Sequence, residues 1–427
     1  EAQENKASGE RISQWFGQRY TFFVVGVFLV SLAVRAFLGE HLHDAARSSL
    51  TLLVALSPCA LVISTPASTL SALTWAARHG ILIRGGEFIE AAGKIDTLAV
   101  DKTGTLTTGK PEVVEICVCS SLVPAGCRQG DACWSRGKPM SDKAVEMLTV
   151  AAAAERYSTH PIAESIVRKA ESRGLALPEA SDHQSATGMG VTATIDGHHV
   201  RIGQRKFFEE RFTEHFEDHV RGFEDRGLTV AVIEVDGEYA ALGLQDVPRS
   251  EASELIASVR ELRIEKVIML TGDTPATAAA VAREVGVDET YAGLLPADKT
   301  RVVDEIVGKG RRLMMVGDGV NDAPSLAKAT IGVAMGGLGS DVALNASDVV
   351  LMQDRLSRIP DLLKLGRKTN SIIRANLLFA VGVIAVLTAA SLFGLLPLWM
   401  AVIGHEGSTV IVILNGLRLL SGPAGRG

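Results

Sequence analysis

The sequence has no excess of basic charge and contains little cysteine. Among its 427 residues, 43 Lys and Arg stand against 49 Asp and Glu, so the formal net charge is −6. A nucleic-acid-binding protein normally carries a basic face, and this balance argues against nucleic acid as a partner. Five cysteines in this length exclude a secreted scaffold built from disulfides. With 47% apolar and 22% charged residues, the composition is not that of a disordered chain.

The apolar residues are concentrated near the two ends of the chain, which accounts for a mean hydropathy of +0.22. Roughly 20 apolar residues cross a hydrocarbon core of about 30 Å. Four stretches satisfy this requirement, namely residues 20–38, 48–77, 375–396 and 398–420. Gly394 and Pro397 predict a tight turn between the last two. We therefore expect four spans and a lipid bilayer as partner; buried core helices of a large soluble protein are the alternative.

The middle of the chain, about residues 78–370, has a different pattern. Short β-rich runs alternate with helical stretches, and four of these runs read TLAVD, EKVIML, LMMVGD and DVVLM. Such alternation predicts a parallel sheet with crossover helices. The predicted fold class is therefore α-helical membrane spans combined with an α/β domain.

A candidate phosphoryl-transfer site begins where the run TLAV ends at Asp101. The chain continues Lys102-Thr103-Gly104, and a polar turn with glycine can aim backbone N–H groups at an anion. An Asp at the carboxyl end of a parallel strand lies where such sheets bind ligands. A carboxylate there can attack a phosphoryl group and form an aspartyl-phosphate.

Further polar motifs follow other predicted strands. Phosphoryl transfer needs in-line positioning, Mg²⁺ and fixed positive charge. Lys299 and Thr271 can hold phosphoryl oxygens, and Asp318 is a candidate Mg²⁺ ligand beside Asp101, because hard cations prefer oxygen. Taken singly, each motif is also compatible with a solvated turn. The full candidate set is Asp101, Lys102, Thr103, Thr271, Gly272, Asp273 and Lys299 for catalysis, and Asp101, Thr103 and Asp318 for Mg²⁺, with Asn321 and Asp322 in support.

The motifs DKTGTLT, TGD and GDGVNDAP, in this order, resemble those of the P-type ATPases. The resemblance implies a haloacid-dehalogenase-like phosphorylation domain and ATP-driven ion transport, with Asp101 as the phosphate acceptor and with ATP and Mg²⁺ as cofactors. It also implies a multi-pass protein of the cell membrane with cytoplasmic catalytic domains. A soluble phosphatase of the same fold is the main rival. Such enzymes usually carry an Asp two residues after the nucleophile as general acid and base, and here Thr103 takes that place.

A long insertion between Thr107 and Asp246 is large enough to form its own core. The spacing Glu-x-x-Ser-x-His-Pro, followed by Gly-x-Gly, resembles the nucleotide domain of the heavy-metal (P1B) class. The following residues match this pattern: Glu155, Ser158, His160, Pro161, Gly188 and Gly190. Gly203 also fits the pocket of that class. Taken alone, His160 is also compatible with an ordinary core or surface histidine.

The resemblance divides the chain into consecutive regions. They are a stalk at 1–19, two transmembrane helices at 20–78, a first part of the phosphorylation domain at 79–110, an inserted α+β nucleotide-binding domain at 111–243, a second part of the phosphorylation domain at 244–370 and two transmembrane helices at 371–427.

Four cysteines fall in one segment of the insertion, at Cys117, Cys119, Cys127 and Cys133. They can bind a soft metal, but their spacing is not the paired C-x₂-C of a zinc knuckle. Because the segment contains many Gly, Ser and Pro residues, we interpret it as a surface loop with reduced thiols.

The predicted spans contain polar residues that suggest an ion path. Ser57-Pro58-Cys59 interrupts the second span, and the backbone groups that proline frees must be satisfied again or line a cavity. His405 and Glu406 form an ionisable pair within the last span, with Thr409 four residues after His405. Imidazole, carboxylate and thiolate together suit a divalent transition metal. Structural polar clusters are the alternative for both positions.

SPC in one span and HEGST in the last resemble the P1B-4 subgroup, the cobalt-type exporters. The resemblance implies Ser57, Cys59, His405, Glu406 and Thr409 as ligands of the transported ion. It implies export of Co²⁺, with Zn²⁺, Fe²⁺ and Cd²⁺ as alternatives.

A P-type pump also needs an actuator domain with a TGE loop, and the sequence contains no TGE. We therefore expect the actuator domain and the first helices to be missing from this C-terminal portion. A truncated membrane protein that binds ATP and becomes phosphorylated without pumping is the alternative.

Overall fold

The computed structural model describes residues 8–119, 133–158, 160–186, 189–208, 212, 214–319, 322–336 and 346–423, with side chains from residue 20 onward except 21 and 215. Helices predominate at both ends, and two β-sheets lie between them.

The apolar ends form five helices. These are α1 (Ser8–Phe37), α2 (Leu42–Leu56), α3 (Cys59–Arg78), α12 (Arg358–Leu392) and α13 (Leu398–Leu417). Within the described residues, three segments are long and apolar enough to cross a membrane: Leu42–Arg78, Arg358–Leu392 and Leu398–Ser421. Among the side chains described, α1 contributes a shorter apolar stretch, Phe22–Phe37. Three of the four expected spans are thus confirmed by length and composition.

The second span is broken at Ser57 and Pro58, which separate α2 from α3. The break leaves backbone carbonyl groups at the end of α2 without helical partners. The Tyr20 hydroxyl donates to the Leu56 carbonyl oxygen at 3.0 Å, and the Ser57 amide donates to the Val54 carbonyl oxygen at 3.1 Å. A side chain from α1 therefore satisfies one of the groups that the break exposes.

The first sheet contains seven strands in the order β1-β14-β13-β12-β2-β10-β11. Its strands are β1 (Ile81–Ile83), β2 (Thr97–Asp101), β10 (Lys266–Leu270), β11 (Glu289–Tyr291), β12 (Leu313–Gly317), β13 (Ile331–Met335) and β14 (Val349–Leu351). Every neighbouring pair is parallel except the edge pair β1–β14. The four predicted strands are all present, and the predicted parallel sheet is confirmed.

Helices cover both faces of the first sheet, and β2, β12 and β13 are consequently buried along their whole length. The helices of this part are α4 (Gly86–Ala92), α8 (Ala252–Glu261), α9 (Pro275–Val285), α10 (Pro296–Gly308) and α11 (Ala323–Lys328). Each parallel neighbour needs a crossover connection, which is why helices separate the strands in sequence.

The second sheet is antiparallel and has the order β4-β3-β9-β8-β7-β6-β5. Its strands are β3 (Thr107–Cys119), β4 (Cys133–Ser135), β5 (Ala180–Ala186), β6 (Gly190–Ile195), β7 (His198–Gly203), β8 (Thr229–Val235) and β9 (Glu238–Pro248). Helices α5 (Asp142–Glu155) and α6 (Pro161–Glu171) pack on one face, and α7 (Glu214–Asp225) packs on the other. The chain leaves the first sheet along β3 and returns along β9, since Thr107 pairs with Pro248.

Helix α12 connects the first sheet to the apolar helices and contacts α4 through two glycines. A Cβ built on Gly366 would lie 2.6 Å from the Ile89 carbonyl oxygen, and one on Gly93 would lie 2.6 Å from the Gly366 carbonyl oxygen. Asn370 donates to the Glu90 carbonyl oxygen at 2.9 Å beside this contact. The backbones of α4 and α12 thus approach as closely as glycine allows.

We expect Gly366→Ala to force α4 and α12 apart and to destabilise the protein by about 1–3 kcal/mol, the usual range for overpacking. Gly382→Ala is the matched control, because it lies on the same helix and its Cβ would meet nothing within 4 Å. Thermal unfolding in detergent measures both variants. Equal midpoints for them would contradict the close packing.

Candidate functional site

Three neighbouring strands of the first sheet end at polar residues. Asp101 is the last residue of β2, Thr271 follows β10, and Asp318 follows β12. The register aligns Asp101 with Leu270 on one side and Val100 with Val316 on the other. The three side chains therefore lie at the same edge of the sheet, the carboxyl edge, where parallel sheets bind ligands.

Asp101 and Asp322 share one lysine. Lys299 Nζ, on the first turn of α10, donates to Asp101 Oδ1 at 2.5 Å and to Asp322 Oδ1 at 2.8 Å. All three residues are buried, with Asp101 4% and Asp322 1% exposed. Asp322 precedes α11, so α10 and α11 position the two partners of Asp101 across the strand ends.

Electrostatic effects at this site oppose each other. Burial, followed by repulsion from Asp322, raises the pKa of Asp101 to about 7, against the lowering effect of Lys299. Burial likewise raises the pKa of Asp322 above its usual range. Burial alone would lower the pKa of Lys299, but Asp101 and Asp322 raise it overall. One lysine therefore does not compensate the buried carboxylates fully.

The residues of the cluster fit a divalent cation. Asp322 Oδ2 is buried and has no hydrogen-bond partner within the described part of the chain. A Cβ on Gly317 would lie 2.6 Å from that oxygen, so glycine at this position is what allows the Asp322 carboxylate to pack against the end of β12. Asp101, Asp318 and Asp322 offer carboxylate oxygens, the kind of ligand that Mg²⁺ prefers, and Mg²⁺ binding would have to draw the three closer together than they lie among the described residues. The Thr103 side chain is exposed, and Asn321 lies outside the described residues.

The loop after Asp101 turns sharply and is held by a second lysine. Gly104 adopts φ +74°, a left-handed conformation that favours glycine. Lys102 Nζ lies 2.5 Å from Asp273 Oδ2 and 3.5 Å from Asp246 Oδ2. Asp246 also accepts a hydrogen bond from the Thr107 hydroxyl at 2.5 Å. The motif Thr271-Gly272-Asp273 thus contacts the loop after Asp101 through its last residue, Asp273. Gly272 lies between Asp273 and Thr271, the residue that follows β10.

Arg249 fixes the other side of the loop. Its guanidinium donates to the Gly104 carbonyl oxygen at 2.8 Å, the Thr107 carbonyl oxygen at 3.2 Å and Asp354 Oδ2 at 2.8 Å. The sequence reasoning identified neither Asp246 nor Arg249. The sequence feature that could have identified them is a pair of charged residues, Asp246 and Arg249, at the end of β9, where the chain returns toward the first sheet.

The residues expected to bind nucleotide lie at one end of the second sheet. Glu155 ends α5 and is buried; burial raises its pKa, while a hydrogen bond with Ser158 lowers it. His160 is exposed and immediately precedes Pro161, the first residue of α6. Its Nδ1 atom accepts a hydrogen bond from the Ile162 amide at 3.3 Å. Helix α5 packs against β6 and β7, so these residues share one side of the sheet.

Gly190 and Gly203 are paired neighbours where β6 begins and β7 ends. A Cβ on Gly190 would lie 2.7 Å from the Gly203 Cα, and a Cβ on Gly203 would lie 2.8 Å from the Gly190 Cα. The close backbone contact therefore requires glycine at both positions. Gly188 lies outside the described residues.

The interpretation of the cysteine segment as a surface loop is wrong for the residues described, and the expectation of reduced thiols is wrong for Cys117 and Cys133 but holds for Cys119, which is a free cysteine. Cys117 and Cys119 lie on β3 and are buried, and Cys133 begins β4. Cys117 and Cys133 are paired across the two strands and form a disulfide. The strand was missed because its nearly continuous apolar run, VVEICVC, was grouped with the Gly- and Ser-containing stretch that follows it in the sequence. Cys127 lies outside the described residues.

The candidate metal ligands in the apolar helices lie on two elements. Ser57 Oγ and Cys59 Sγ are 3.2 Å apart at the break between α2 and α3. His405 on α13 is buried, whereas the neighbouring Glu406 side chain is 67% exposed. The Thr409 hydroxyl donates to the His405 carbonyl oxygen at 3.2 Å. Within the described chain, Cys59, His405 and Glu406 do not converge into one compact group of ligand atoms.

Comparison with known proteins places this geometry in a family. A family model for haloacid dehalogenase-like hydrolases matches residues 95–330, which is more than half of the chain. A probable cadmium-transporting ATPase of Alkalihalophilus pseudofirmus is 36% identical over 428 residues, covering 97% of this chain and 57% of the relative. A zinc/cadmium/lead-transporting P-type ATPase of Escherichia coli is 38% identical over 423 residues, covering 98% of this chain and 54% of the relative.

A solved structure agrees with these relatives. The crystal structure of a zinc-transporting PIB-type ATPase in the E2.Pi state matches with a TM-score of 0.84 and 37% identity, covering 98% of this chain and 65% of that one. The chain therefore spans a little more than half of the length of these curated relatives. The matched region and the strand-end carboxylates agree, and the chain is similar over almost its whole length to these P-type ATPases. The chain belongs to the haloacid dehalogenase-like hydrolases.

Proposed function

We propose that this chain is the catalytic and ion-conducting portion of a pump that exports a divalent transition metal at the expense of ATP. The observation that carries the proposal is Asp101 at the carboxyl end of the interior strand β2, in contact with Lys299, which also contacts Asp322. The relatives named as cadmium and zinc/cadmium/lead transporters support the class of cargo. The first sheet serves as the phosphorylation domain, and the second sheet with α5–α7 serves as the nucleotide domain.

The chain's own residues account for phosphoryl transfer. An Asp101 oxygen attacks the γ-phosphorus of ATP, the bond to ADP breaks, and an aspartyl-phosphate forms. Lys299 holds its charge beside the transferred group, and Thr271 offers a hydroxyl at the neighbouring strand end. Mg²⁺, held by Asp101 and Asp318 with Asp322 in support, would neutralise phosphate charge. Lys102 and Arg249 keep the loop in place.

The nucleotide domain would bring ATP to Asp101 along the β3–β9 connection. His160 is exposed and can stack on or hydrogen-bond a purine. Gly190 and Gly203 allow the backbones of β6 and β7 to approach each other closely, and this pair of backbones would form one wall of the pocket. Glu155 and Ser158 complete the proposed pocket, together with Pro161 and Gly188.

A phosphatase of the same fold is the less favoured function. Such an enzyme needs an acid and base beside the nucleophile, and Thr103 has no titratable side chain. Three helices long and apolar enough to cross a membrane also favour the pump. In the pump, an actuator domain would supply hydrolysis of the aspartyl-phosphate.

The transported ion would bind at Ser57, Cys59, His405, Glu406 and Thr409. A thiolate, an imidazole and a carboxylate together suit a divalent transition metal. Because Ser57 provides a harder ligand than a second cysteine, we propose Co²⁺ first, within the P1B-4 subgroup, and Zn²⁺, Fe²⁺ or Cd²⁺ as competing cargoes.

We expect Asp101 to carry the phosphate. After incubation with γ-labelled ATP and Mg²⁺, acid-stable and hydroxylamine-labile label should appear in the wild-type chain and be absent from Asp101→Asn. Asp304→Asn is the control, because this carboxylate is 65% exposed on α10 and should leave the labelling unchanged. Label that persists in Asp101→Asn would assign the acceptor to another residue.

We also expect the buried Asp101 to make stability depend on pH. Its pKa rises from 3.8 to about 7 on folding, so its ionisation opposes folding as pH increases through this interval. Without Mg²⁺, Asp101→Asn should therefore gain stability relative to wild type, by up to about 1.4 kcal/mol for each pH unit in this interval. Urea unfolding in detergent at several pH values measures this gain, with Asp304→Asn as control. A gain independent of pH would contradict the raised pKa.

We expect His405→Ala to remove one bound metal ion per chain, because the remaining ligands then lack the buried imidazole. His43→Ala is the matched control, since that side chain is 89% exposed in the first turn of α2. Equilibrium dialysis in detergent with Co²⁺, Zn²⁺ and Cd²⁺, followed by elemental analysis, measures the stoichiometry. Equal metal content in both variants would exclude His405 from the site, and preference for Zn²⁺ or Cd²⁺ over Co²⁺ would revise the cargo.

A further inference from the structure

Cys117, Cys133 and His219 meet beneath α7 on the second sheet. Cys117 on β3 and Cys133 on β4 are directly opposed and joined as a disulfide. His219 lies on α7, and its Nδ1 atom is 3.8 Å from Cys117 Sγ. The two sulfur atoms and the ring nitrogen all lie within 4.8 Å of one another. Among the described residues, this is the one group of three such side chains that is close enough to share an ion.

The cluster is separate from the proposed nucleotide pocket. Successive residues of a strand point to opposite faces of the sheet. Ile116 and Trp134, next to the two cysteines, pack in the core under α5 and α6. Cys117 packs instead in the core under α7. The cluster therefore lies across the sheet from the helices that carry Glu155 and His160.

We propose that Cys117, Cys133 and His219 form, in the reduced chain, a second binding site for a soft or borderline divalent cation such as Zn²⁺ or Cd²⁺. Two thiolates and one imidazole are the ligands that these ions prefer. Tetrahedral coordination at the usual bond lengths places a sulfur and a nitrogen ligand about 3.5 Å apart. The observed 3.8 Å between Cys117 and His219 is close to this value. Water can take the fourth position.

The surroundings favour an accessible site with one buried side. Cys117 is 2% exposed and packs in the same cluster as Phe216 and Val220 of α7. His219 is half-buried and Cys133 is exposed. An apolar floor strengthens the attraction between a cation and thiolates, because the local dielectric constant is low. The exposed Cys133 gives ions and reductants a route to the site.

Oxidation would close the site reversibly. A dithiol reductant transfers two electrons and two protons to the Cys117–Cys133 disulfide, leaving two thiols and becoming a disulfide itself. Cation binding then releases the two thiol protons. Disulfides are rare in reducing compartments, and those that form there are usually transient or sense redox state. A cytoplasmic nucleotide domain would therefore bind the cation under reducing conditions and lose it on oxidation.

The test measures Cd²⁺ binding to the full chain in detergent. One sample is reduced with a dithiol and then freed of it, and the other retains the disulfide. The reduced wild-type chain should bind one more Cd²⁺ than the oxidised chain, because a site in the membrane helices is present in both. In the reduced state, Cys133→Ser should lose this ion, and His219→Ala should bind it at least about tenfold more weakly. Cys119→Ser, two residues from Cys117 on β3, is the matched control and should keep it.

A second measurement uses only the wild-type chain, so it does not depend on whether the variants fold. In the reduced wild-type chain, Cd²⁺ should slow alkylation of the exposed Cys133 by a maleimide at least about tenfold, as mapped by mass spectrometry. Equal Cd²⁺ binding by reduced and oxidised chains would overturn the proposal. An alkylation rate at Cys133 that Cd²⁺ leaves unchanged would also overturn it, as would loss of the ion in Cys119→Ser.

Discussion

The sharing of one buried lysine by two buried aspartates is the interaction on which the catalytic half of this protein depends. Lys299 contacts Asp101 and Asp322 at once, and Asp318 adds a third carboxylate nearby. Burial makes each charge costly, and a single ammonium group does not balance the carboxylates. The cluster is consequently under-neutralised, which is the condition that attracts a divalent cation. The proposed reactivity of Asp101 toward phosphate and the proposed affinity for Mg²⁺ would therefore have the same electrostatic origin.

The elements around that cluster connect it to the second sheet on one side and to the apolar helices on the other. Toward the second sheet, Arg249 and Asp246 hold the ends of β3 and β9 against the loop that follows Asp101. Toward the apolar helices, α12 starts close behind β14 and continues for 35 residues, about 52 Å at the usual helical rise. The glycine contact between α4 and α12 fixes this helix against the first sheet. Asp101 is therefore connected to both the second sheet and the apolar helices through continuous, packed structure.

Sequence reasoning succeeded where periodicity and strand ends determine position. The buried run before Asp101 could form only an interior strand, and the carboxyl ends of parallel strands must share one edge. It failed where contacts depend on distant segments. Asp246 and Arg249 are separated from the loop they hold by about 140 residues, and no local pattern shows that they return to it. The pairing of Cys117 with Cys133 was missed for a related reason, since a short edge strand such as β4 has too few residues to show alternation.

The proposed metal site in the apolar helices differs from the catalytic cluster in the exposure of its charged side chain. His405 is buried among the helices described here, but the adjacent Glu406 projects from them with most of its side chain exposed. A carboxylate exposed to hydrocarbon is costly, and such residues in membrane proteins normally face a partner group or a cavity. Cys59, on the other side, is also exposed and is not drawn into one group with these two. Asp101 therefore contacts its cation partner Lys299 directly, whereas Glu406 approaches the His405 ring at 3.9 Å while most of its side chain stays exposed. Binding of the transported ion at the proposed membrane site would require Cys59 and Glu406 to move closer to His405, because these ligand atoms are not gathered in one group in this arrangement.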